Sequence, residues 1–376
     1  MLREFVQSVK YRNHKYITCL TYLFIVTCQD MDLERLQFRA LIIQNIRNFF
    51  IKEAQKPYLE LDTPALSSNL IPESCLEVFK TEYIAPFSGK QSPLFLVPSP
   101  EIYIKKIIAQ HNINCFQISK CYRNVESCGH LHSPEFTMLE YYTIEADYLD
   151  SIQITEQLFN TLLTKQKTNQ KIDNFSDLRP PFIRMTIDEA FEKYAGGRIS
   201  EWFSKDSPVA NAAKQARKLG ITESKQDPFE KWTIEALYNL IFVQCVEPAL
   251  PKNKPVVLMD YPSFVKCLAK NKDSTSIKNK TAFYQCSERW ELYCRGIELA
   301  NCYSEETDPQ KIKDYFKAET LLKNKSIIPH KIDNNYYKIF KNFPKCSGVA
   351  LGVDRLIALF ANSKSIDSIL PFPFSL

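Results

Sequence analysis

Residues 123–142 read Arg123-Asn124-Val125-Glu126-Ser127-Cys128-Gly129-His130-Leu131-His132-Ser133-Pro134-Glu135-Phe136-Thr137-Met138-Leu139-Glu140-Tyr141-Tyr142. The stretch opens as a polar loop and changes at Phe136 into a run that continues to Ile144 as a strand. Successive side chains of a strand point to opposite faces. Phe136, Met138, Glu140 and Tyr142 therefore share one face, and Thr137, Leu139 and Tyr141 take the other. A carboxylate among apolar neighbours on an inner face is costly unless it meets a cation. Glu140 is thus either a sheet-edge acid beside a local lysine or one wall of a binding site. Cys115–Arg123 reads as a second strand, joined to the first by the long loop that holds Gly129, His130 and His132.

Further upstream, Ser99-Pro100-Glu101 supplies an N-cap, a proline at the first helical position and an early acid, which predicts a helix over 101–110. Leu94–Val97 and Tyr58–Leu61 are short strands. Leu36, Ala40, Ile43 and Phe50 follow helical spacing within 33–55. Downstream, a helix is expected over 147–166. A polar, helix-forming stretch starting at Gly196-Gly197 and running to about 230 reads as an insertion; with the helix at 231–246 it spans about 196–250. Val256–Met259 is a strand, Lys270–Lys280 a charged loop, and Glu288–Cys302 reads as one strand. Helices over 308–322 and 334–341 precede a strand at 347–353 and a helix at 354–361. No internal repeat is visible. Long strands at irregular spacing predict an α+β fold, a mixed sheet surrounded by helices and not a doubly wound βαβ array.

Composition narrows the function. The 376 residues are 45% hydrophobic, enough for a large core, and 48 basic against 43 acidic side chains leave a net charge of only +5. Such a small excess gives no electrostatic footprint for nucleic acid. None of the 12 cysteines forms a C-x-x-C pair, so a structural zinc site has no support and the thiols read as reduced, as in a cytoplasmic protein. Residues 1–30 form an N-terminal extension in which Lys10, Arg12, His14 and Lys15 precede an apolar run from Ile17 to Cys28. That run is too short for a bilayer and lacks a cleavage site, so no membrane attachment is expected.

The chain has 8 glycines and neither a G-x-x-x-x-G-K-[ST] nor a G-x-G-x-x-G pattern. A phosphate site must therefore be built from side chains. Glu291 and Glu298 are seven apart, an odd spacing, and Gly296 between them is a natural place for a bulge that brings both to one face. Two converging carboxylates suit Mg²⁺. Gly348-Val349-Ala350-Leu351-Gly352-Val353-Asp354-Arg355 leads from a strand into a helix with an arginine in the opening turn. Arg355 and Arg123 together offer two guanidiniums to a polyphosphate.

Read together, these stretches resemble the three motifs of the class II aminoacyl-tRNA synthetases, in their lysine branch. Pro64 after helix 33–55 fits motif 1, Arg123-Asn124 to Glu140 fits motif 2 and Gly348–Arg355 fits motif 3. Ser99-Pro100-Glu101, Val246-Glu247-Pro248, Asp260-Tyr261-Pro262 and Gly296–Asn301 match connecting segments. The resemblance covers about 31–376 as one catalytic domain: a mainly antiparallel sheet flanked by helices, with the helical insertion. Only about 30 residues precede motif 1, too few for the anticodon-reading barrel of full lysyl-tRNA synthetases. The chain is therefore most similar to the truncated paralogues that ligate (R)-β-lysine to elongation factor P.

That resemblance implies ATP and Mg²⁺ as cofactors, lysine or β-lysine as substrate, elongation factor P as the acceptor partner and a homodimer. It implies that Arg123 holds the α-phosphate and Arg355 the γ-phosphate, with Phe136 on the adenine and Arg355 near its other side. Asn124, Glu126, His132, Leu292 and Gly352 complete the nucleotide site, and Glu291 and Glu298 hold the metal. Ser99, Glu101 and Tyr142 address the substrate amino group, while Glu140 and Glu305 neutralise its ammonium ends. Glu298, Asn301, Tyr303 and Ala350 line the pocket; Ala350 stands where tRNA-charging enzymes usually carry glycine. Val125 replaces a usual glutamate, with Glu126 next to it in a loop one residue longer than the family's. Ser133 and Cys302 also depart from the pattern. Two alternatives stand beside this expectation. One is a stand-alone lysine–tRNA ligase, disfavoured by Ala350 and the missing barrel; the other is a non-catalytic regulatory paralogue.

Overall fold

The computed structural model describes residues 32–126, 129–167, 175–203, 207–272 and 285–374. The apolar run before Met31 and most of the charged loop 270–280 lie outside these residues. Asp32 caps helix α1 (Leu33–Asn48), its carboxylate accepting from the backbone of Glu34 and Arg35. A π turn over Phe49–Glu53 extends α1. Phe49 and Phe50 there enter the core, where Phe50 packs on Tyr58, Phe116 and Tyr141 with ring centroids 4.9–5.0 Å apart.

The chain then forms β1 (Leu59–Glu60), β2 (Leu66–Ser67), β3 (Lys80–Ile84), β4 (Gln91–Leu96), α2 (Glu101–His111), β5 (Cys115–Tyr122), β6 (Glu135–Ile144) and α3 (Tyr148–Lys167). Next come β7 (Ile183–Thr186), α4 (Ile187–Ala195), α5 (Ile199–Trp202), α6 (Pro208–Lys218), α7 (Ile234–Ile241) and β8 (Val256–Pro262). The last elements are β9 (Cys286–Cys294), β10 (Ile297–Ser304), α8 (Pro309–Lys323), β11 (Cys346–Gly352) and α9 (Val353–Phe360).

Eight strands form one sheet in the order β1-β5-β6-β11-β10-β9-β8-β7, and β2, β4 and β3 form a second, small sheet. The two edge pairings of the large sheet, β1 with β5 and β7 with β8, are parallel. All pairings between them are antiparallel. This is the α+β mixed sheet expected from the strand spacing.

One face of the sheet carries the main core. Leu139, Tyr141, Trp290, Leu292, Val349 and Leu351 pack there with α1, α3 and α9. A second core gathers α4–α7 onto β8 through Phe191, Trp202, Leu237 and Tyr238. Ser99 lies one residue further out than expected: α2 starts at Glu101, and the Ser99 hydroxyl accepts from the Glu101 amide at 3.1 Å.

The reading of 288–302 as one strand is corrected. It is the hairpin of β9 and β10, turned by Arg295 and Gly296, both at positive φ (53° and 77°). A two-residue turn of that kind matches the right-handed twist of the strands it joins. The bulge exists, but it lies at Leu299, where the pairing shifts between Glu298–Tyr293 and Ala300–Leu292. An apolar run without turn residues other than Gly296 concealed the reversal.

Candidate active site

The open face of the sheet is a grid. In antiparallel sheets, residues directly opposite each other share a face. The pairing aligns Gln117, Glu140, Ala350, Asn301 and Glu291 in one row across five strands. Two residues along, Cys115, Tyr142, Gly348, Tyr303 and Arg289 make the next row. The central strand β11 contributes Gly348, Ala350 and Gly352 to this face, the smallest side chains available. The cavity is therefore a trough over β11, with functional groups standing on the strands at either side. It measures about 370 Å³, within the range of ligand-binding pockets.

At one end of the trough stand Arg123, Glu126, His132, Phe136, Glu291, Glu298, Gly352 and Arg355. Arg123 directly follows β5, and its guanidinium lies over the Phe136 ring at 5.2 Å. The Nε of Arg123 is buried and has no hydrogen-bond partner among the described residues. An orphaned donor of that kind in a cavity wall is costly until an anion fills it. Arg355, in the first turn of α9, donates to the carbonyls of Leu131 (3.1 Å) and Glu298 (2.7 Å), and its Nη2 lies 2.9 Å from His132 Nε2. Burial and then the Arg355 charge push His132 below the ordinary histidine range, so the ring stays a neutral acceptor.

The metal-binding expectation rests on Glu291 and Glu298, which the hairpin brings to one cavity wall. Glu291 accepts from Arg289 (2.5 Å), Tyr261 (2.6 Å) and Tyr293 (2.8 Å). The Glu298 side chain stays 45% exposed at the cavity mouth, and its packing against the wall, with the Glu291 charge next, raises its carboxyl above the ordinary range. A pair held with excess negative charge fits a divalent cation, which takes one or two carboxylates and fills its shell with phosphate oxygens and water. Among the described residues no cluster of three or more His, Cys, Asp or Glu has the geometry of an all-protein metal cage.

Next to the trough lies a buried acidic cluster. Ser99 donates to Glu140 Oε1 at 2.5 Å and Tyr142 to Oε2 at 3.2 Å. Burial, then the neighbouring Glu101, pushes Glu140 up to about 8. Glu305 is pushed up to about 7, by burial first. Between Glu101 and Glu305 lies Lys105, 1% exposed, paired with Glu101 and 2.6 Å from Glu305. Burial works against the Lys105 ammonium, but the two carboxylates outweigh it and hold it well above the ordinary lysine range.

Several expected residues do not line the trough. Leu292 is a correction: its side chain is fully buried in the main core, on the opposite face of β9 from Glu291. Asn124 serves the loop instead, accepting from the Val125 amide at 2.9 Å while its own amide meets the Glu77 carbonyl. Ser99 and Glu101 line a small cleft beside the trough. Glu140, Tyr142 and Glu305 lie behind its wall.

The residues not singled out from sequence are Glu73, Cys75, Arg289 and Lys105. Lys105 is one helical turn from Glu101, and Arg289 two residues from Glu291 on the same strand face, spacings that carried the signal. Glu73 comes from an irregular segment and had none. Behind the trough, Arg39 of α1 bridges Asp354 at 2.7 Å, and Asp354 accepts the Thr137 amide at 2.7 Å. One buried ion pair thus ties helix α1, strand β6 and helix α9 into a single frame.

An antiparallel sheet carrying an arginine on the strand-end loop, a second arginine in the last helix and a trough between them defines a class II synthetase catalytic core. The profile of the tRNA synthetases class II (D, K and N) matches residues 17–375, and the chain belongs to that family. Within it, the chain is 32% identical over 344 residues to the elongation factor P–(R)-β-lysine ligase of Vibrio atlanticus, covering 91% of this chain and 96% of that protein. The ligase of the same name from Vibrio vulnificus is 31% identical over 345 residues, with the same coverage of both chains. That from Hamiltonella defensa is 29% identical over 337 residues, 89% of this chain and 93% of the other.

Proposed function

We propose that the chain is an ATP-dependent ligase that activates (R)-β-lysine or lysine as its adenylate and transfers it to a lysine side chain of elongation factor P. The observation that carries this is the pairing of two sites: a trough into which Arg123 and Arg355 bring two guanidiniums, and a buried cluster of Glu101, Glu140 and Glu305 next to it. A substrate with ammonium groups and a carboxylate, lying across both, presents its carboxylate where the arginines hold a polyphosphate. Arg123 holds the α-phosphate, with its orphaned Nε as the added donor, and Arg355 holds the γ-phosphate. Phe136 receives the adenine. Glu291 and Glu298 hold Mg²⁺, which when bound neutralises phosphate charge.

Glu101, Glu140, Tyr142 and Glu305 take the ammonium ends, with Ser99 orienting Glu140, and Asn301, Tyr303 and Ala350 shape the pocket. The substrate carboxylate attacks the α-phosphorus and pyrophosphate leaves. No protein nucleophile is required, and the guanidiniums stabilise the charge that develops. The relatives' shared name supports elongation factor P as acceptor. The family resemblance is what supports a homodimer in the cytoplasm. No helix among the described residues is long and apolar enough to cross a membrane.

Pyrophosphate–ATP exchange with lysine and with (R)-β-lysine tests the activation step, and labelled transfer to elongation factor P or to tRNA tests the acceptor. Exchange with neither amino acid overturns the enzyme reading. Exchange followed by transfer to tRNA alone replaces it with a lysine–tRNA ligase.

A further inference from the structure

The trough and the small cleft that holds Ser99 and Glu101 share one lining residue among those described, Glu73. Glu73 thus stands where the phosphate end of the site meets the ammonium end. On the proposed function, that junction is where the carboxyl–phosphate anhydride of the adenylate lies. The side chain is half-buried, and no hydrogen bond or ion pair reaches its carboxylate among the described residues, in contrast to Glu101, Glu140, Glu291 and Glu305. Its segment is nonetheless held firmly. The Ser74 amide donates to Glu319 at 2.8 Å, and Lys323 of α8 bonds the Leu76 carbonyl. Glu77 accepts from the amides of Ile327 and Ile328 at 3.0 Å.

A carboxylate that is anchored through its backbone, open to the cavity and left without a partner is placed to exchange a proton. Transfer to a lysine side chain needs such a group, because the acceptor arrives as an ammonium and only the neutral amine attacks a carbonyl carbon. We propose that Glu73 is the proton acceptor of the transfer step. The acceptor ammonium gives one proton to the Glu73 carboxylate. Its nitrogen then forms the amide bond to the adenylate carbonyl carbon. The bond from that carbon to the phosphate oxygen breaks, its electron pair leaves with AMP, and the second amine proton departs on the leaving phosphate. This assignment rests on the ligase function proposed above.

The groups facing Glu73 are Glu101 and Lys105 from α2, Arg123 from just after β5, Tyr303 from β10, Tyr315 and Glu319 from α8, and Cys75 beside it. Burial and then Glu101 push its carboxyl up to about 7, with Arg123 and Lys105 pulling the other way. A base poised near the working pH is the most effective one.

The test compares the full-length chain with Glu73→Gln and Glu73→Asp in three assays: pyrophosphate–ATP exchange, trapping of the adenylate by hydroxylamine, and single-turnover transfer to elongation factor P. Hydroxylamine is neutral near pH 7 and needs no base. Glu73→Gln is expected to lower transfer roughly 100-fold more than it lowers exchange or hydroxamate formation, the scale of a general base. The residual transfer should climb about tenfold per pH unit as the acceptor amine deprotonates in solution, and Glu73→Asp should recover part of the loss. Equal losses in all three assays, with a raised KM for the amino acid, would overturn the proposal and make Glu73 an ammonium ligand. Transfer that keeps pace with exchange would also overturn it. Absence of exchange in the unsubstituted chain would instead remove the ligase function, and the proposal with it.

Discussion

Glu140→Gln should make the empty protein more stable and leave it unable to bind its substrate. The Glu140 carboxyl is 3% exposed, and burial, with Glu101 next, pushes it up to about 8 from an ordinary 4.5. Between pH 4.5 and 8 the folded state therefore binds more protons at this group than the unfolded chain, so stability falls as pH rises through that window. Each pH unit of displacement is worth about 1.4 kcal/mol. Integrated, the penalty is below about 1 kcal/mol at pH 5 and roughly 4 kcal/mol at pH 8. Glutamine removes it at nearly constant shape: its amide can accept from one hydroxyl and donate to the other, where Glu140 now meets Ser99 and Tyr142. Urea unfolding of both proteins from pH 5 to pH 8 measures the difference. Glu298 and Glu305 titrate in both and largely cancel. The variant should gain little at pH 5 and several kcal/mol at pH 8, and should lose exchange with lysine and β-lysine. A gap that does not widen with pH, or a variant less stable at pH 8, would refute the assignment of a burial penalty to this carboxylate.

Arg123→Ala should lower pyrophosphate–ATP exchange by roughly 100- to 1,000-fold, the loss typical of one charge-stabilising donor, with little change in unfolding midpoint. Gly348→Ala places a Cβ 2.5 Å from Glu305 Oε1 and from Tyr142 Cε1, so both must shift; amino-acid KM should rise at least tenfold, with about 1–3 kcal/mol lost in urea unfolding. Asp354→Ala leaves Arg39 buried without its partner and frees the Thr137 amide, and should cost about 3–5 kcal/mol by the same measurement. Ala350→Gly should shift the exchange ratio toward lysine over β-lysine by roughly tenfold or more, the effect of one methyl in a fitted pocket.

Strand alternation made much of this legible in advance. Residues Phe136–Tyr142 announced both the sheet and the face on which its chemistry stands, and Gly348–Arg355 the strand that leads into the arginine-bearing helix. What escaped depended on contacts between distant elements. The β9–β10 reversal was concealed because one Arg-Gly pair in an apolar run makes a weak turn signal. The resemblance puts Leu292 at the nucleotide, yet period-two alternation sends its side chain to the opposite face from Glu291. Lys105 is an ordinary helical lysine in one dimension; only the approach of Glu305 from β10 makes it an internal counter-ion. Glu73 lies on a segment held by α8, far along the chain, and no local pattern marks it.

The scarcity of glycine turns out to be a matter of placement. A Gly-rich loop binds phosphate by exposing backbone amides; in the proposed site that work falls to guanidiniums on a rigid sheet, and glycine has a different use. Strands in a sheet stand about 4.8 Å apart, so with Ala350 and Gly352 on the open face of β11, the flanking strands β6 and β10 stand roughly 9–10 Å apart there, while over Gly348 the space is taken by Glu305 and Tyr142. The gap over Ala350 and Gly352 suits an extended aliphatic amine or a phosphate chain, and the strand needs no loop to make it. The same arrangement explains why the acids of the site are so deeply buried. A carboxylate rooted in the floor of a sheet cannot swing to solvent as one on a loop can, so it is protonated, paired with Lys105, or met by the ammonium group of a substrate. An empty site whose acids are held partly by an internal lysine and partly by protons keeps its geometry while it waits. A ligand with ammonium groups then replaces protons without moving the frame, so binding should release protons near neutral pH. Calorimetric titration with lysine in two buffers of different ionisation enthalpy measures that release directly. A proton count of zero at pH 7 would mean that Glu140 and Glu305 are already ionised in the empty protein.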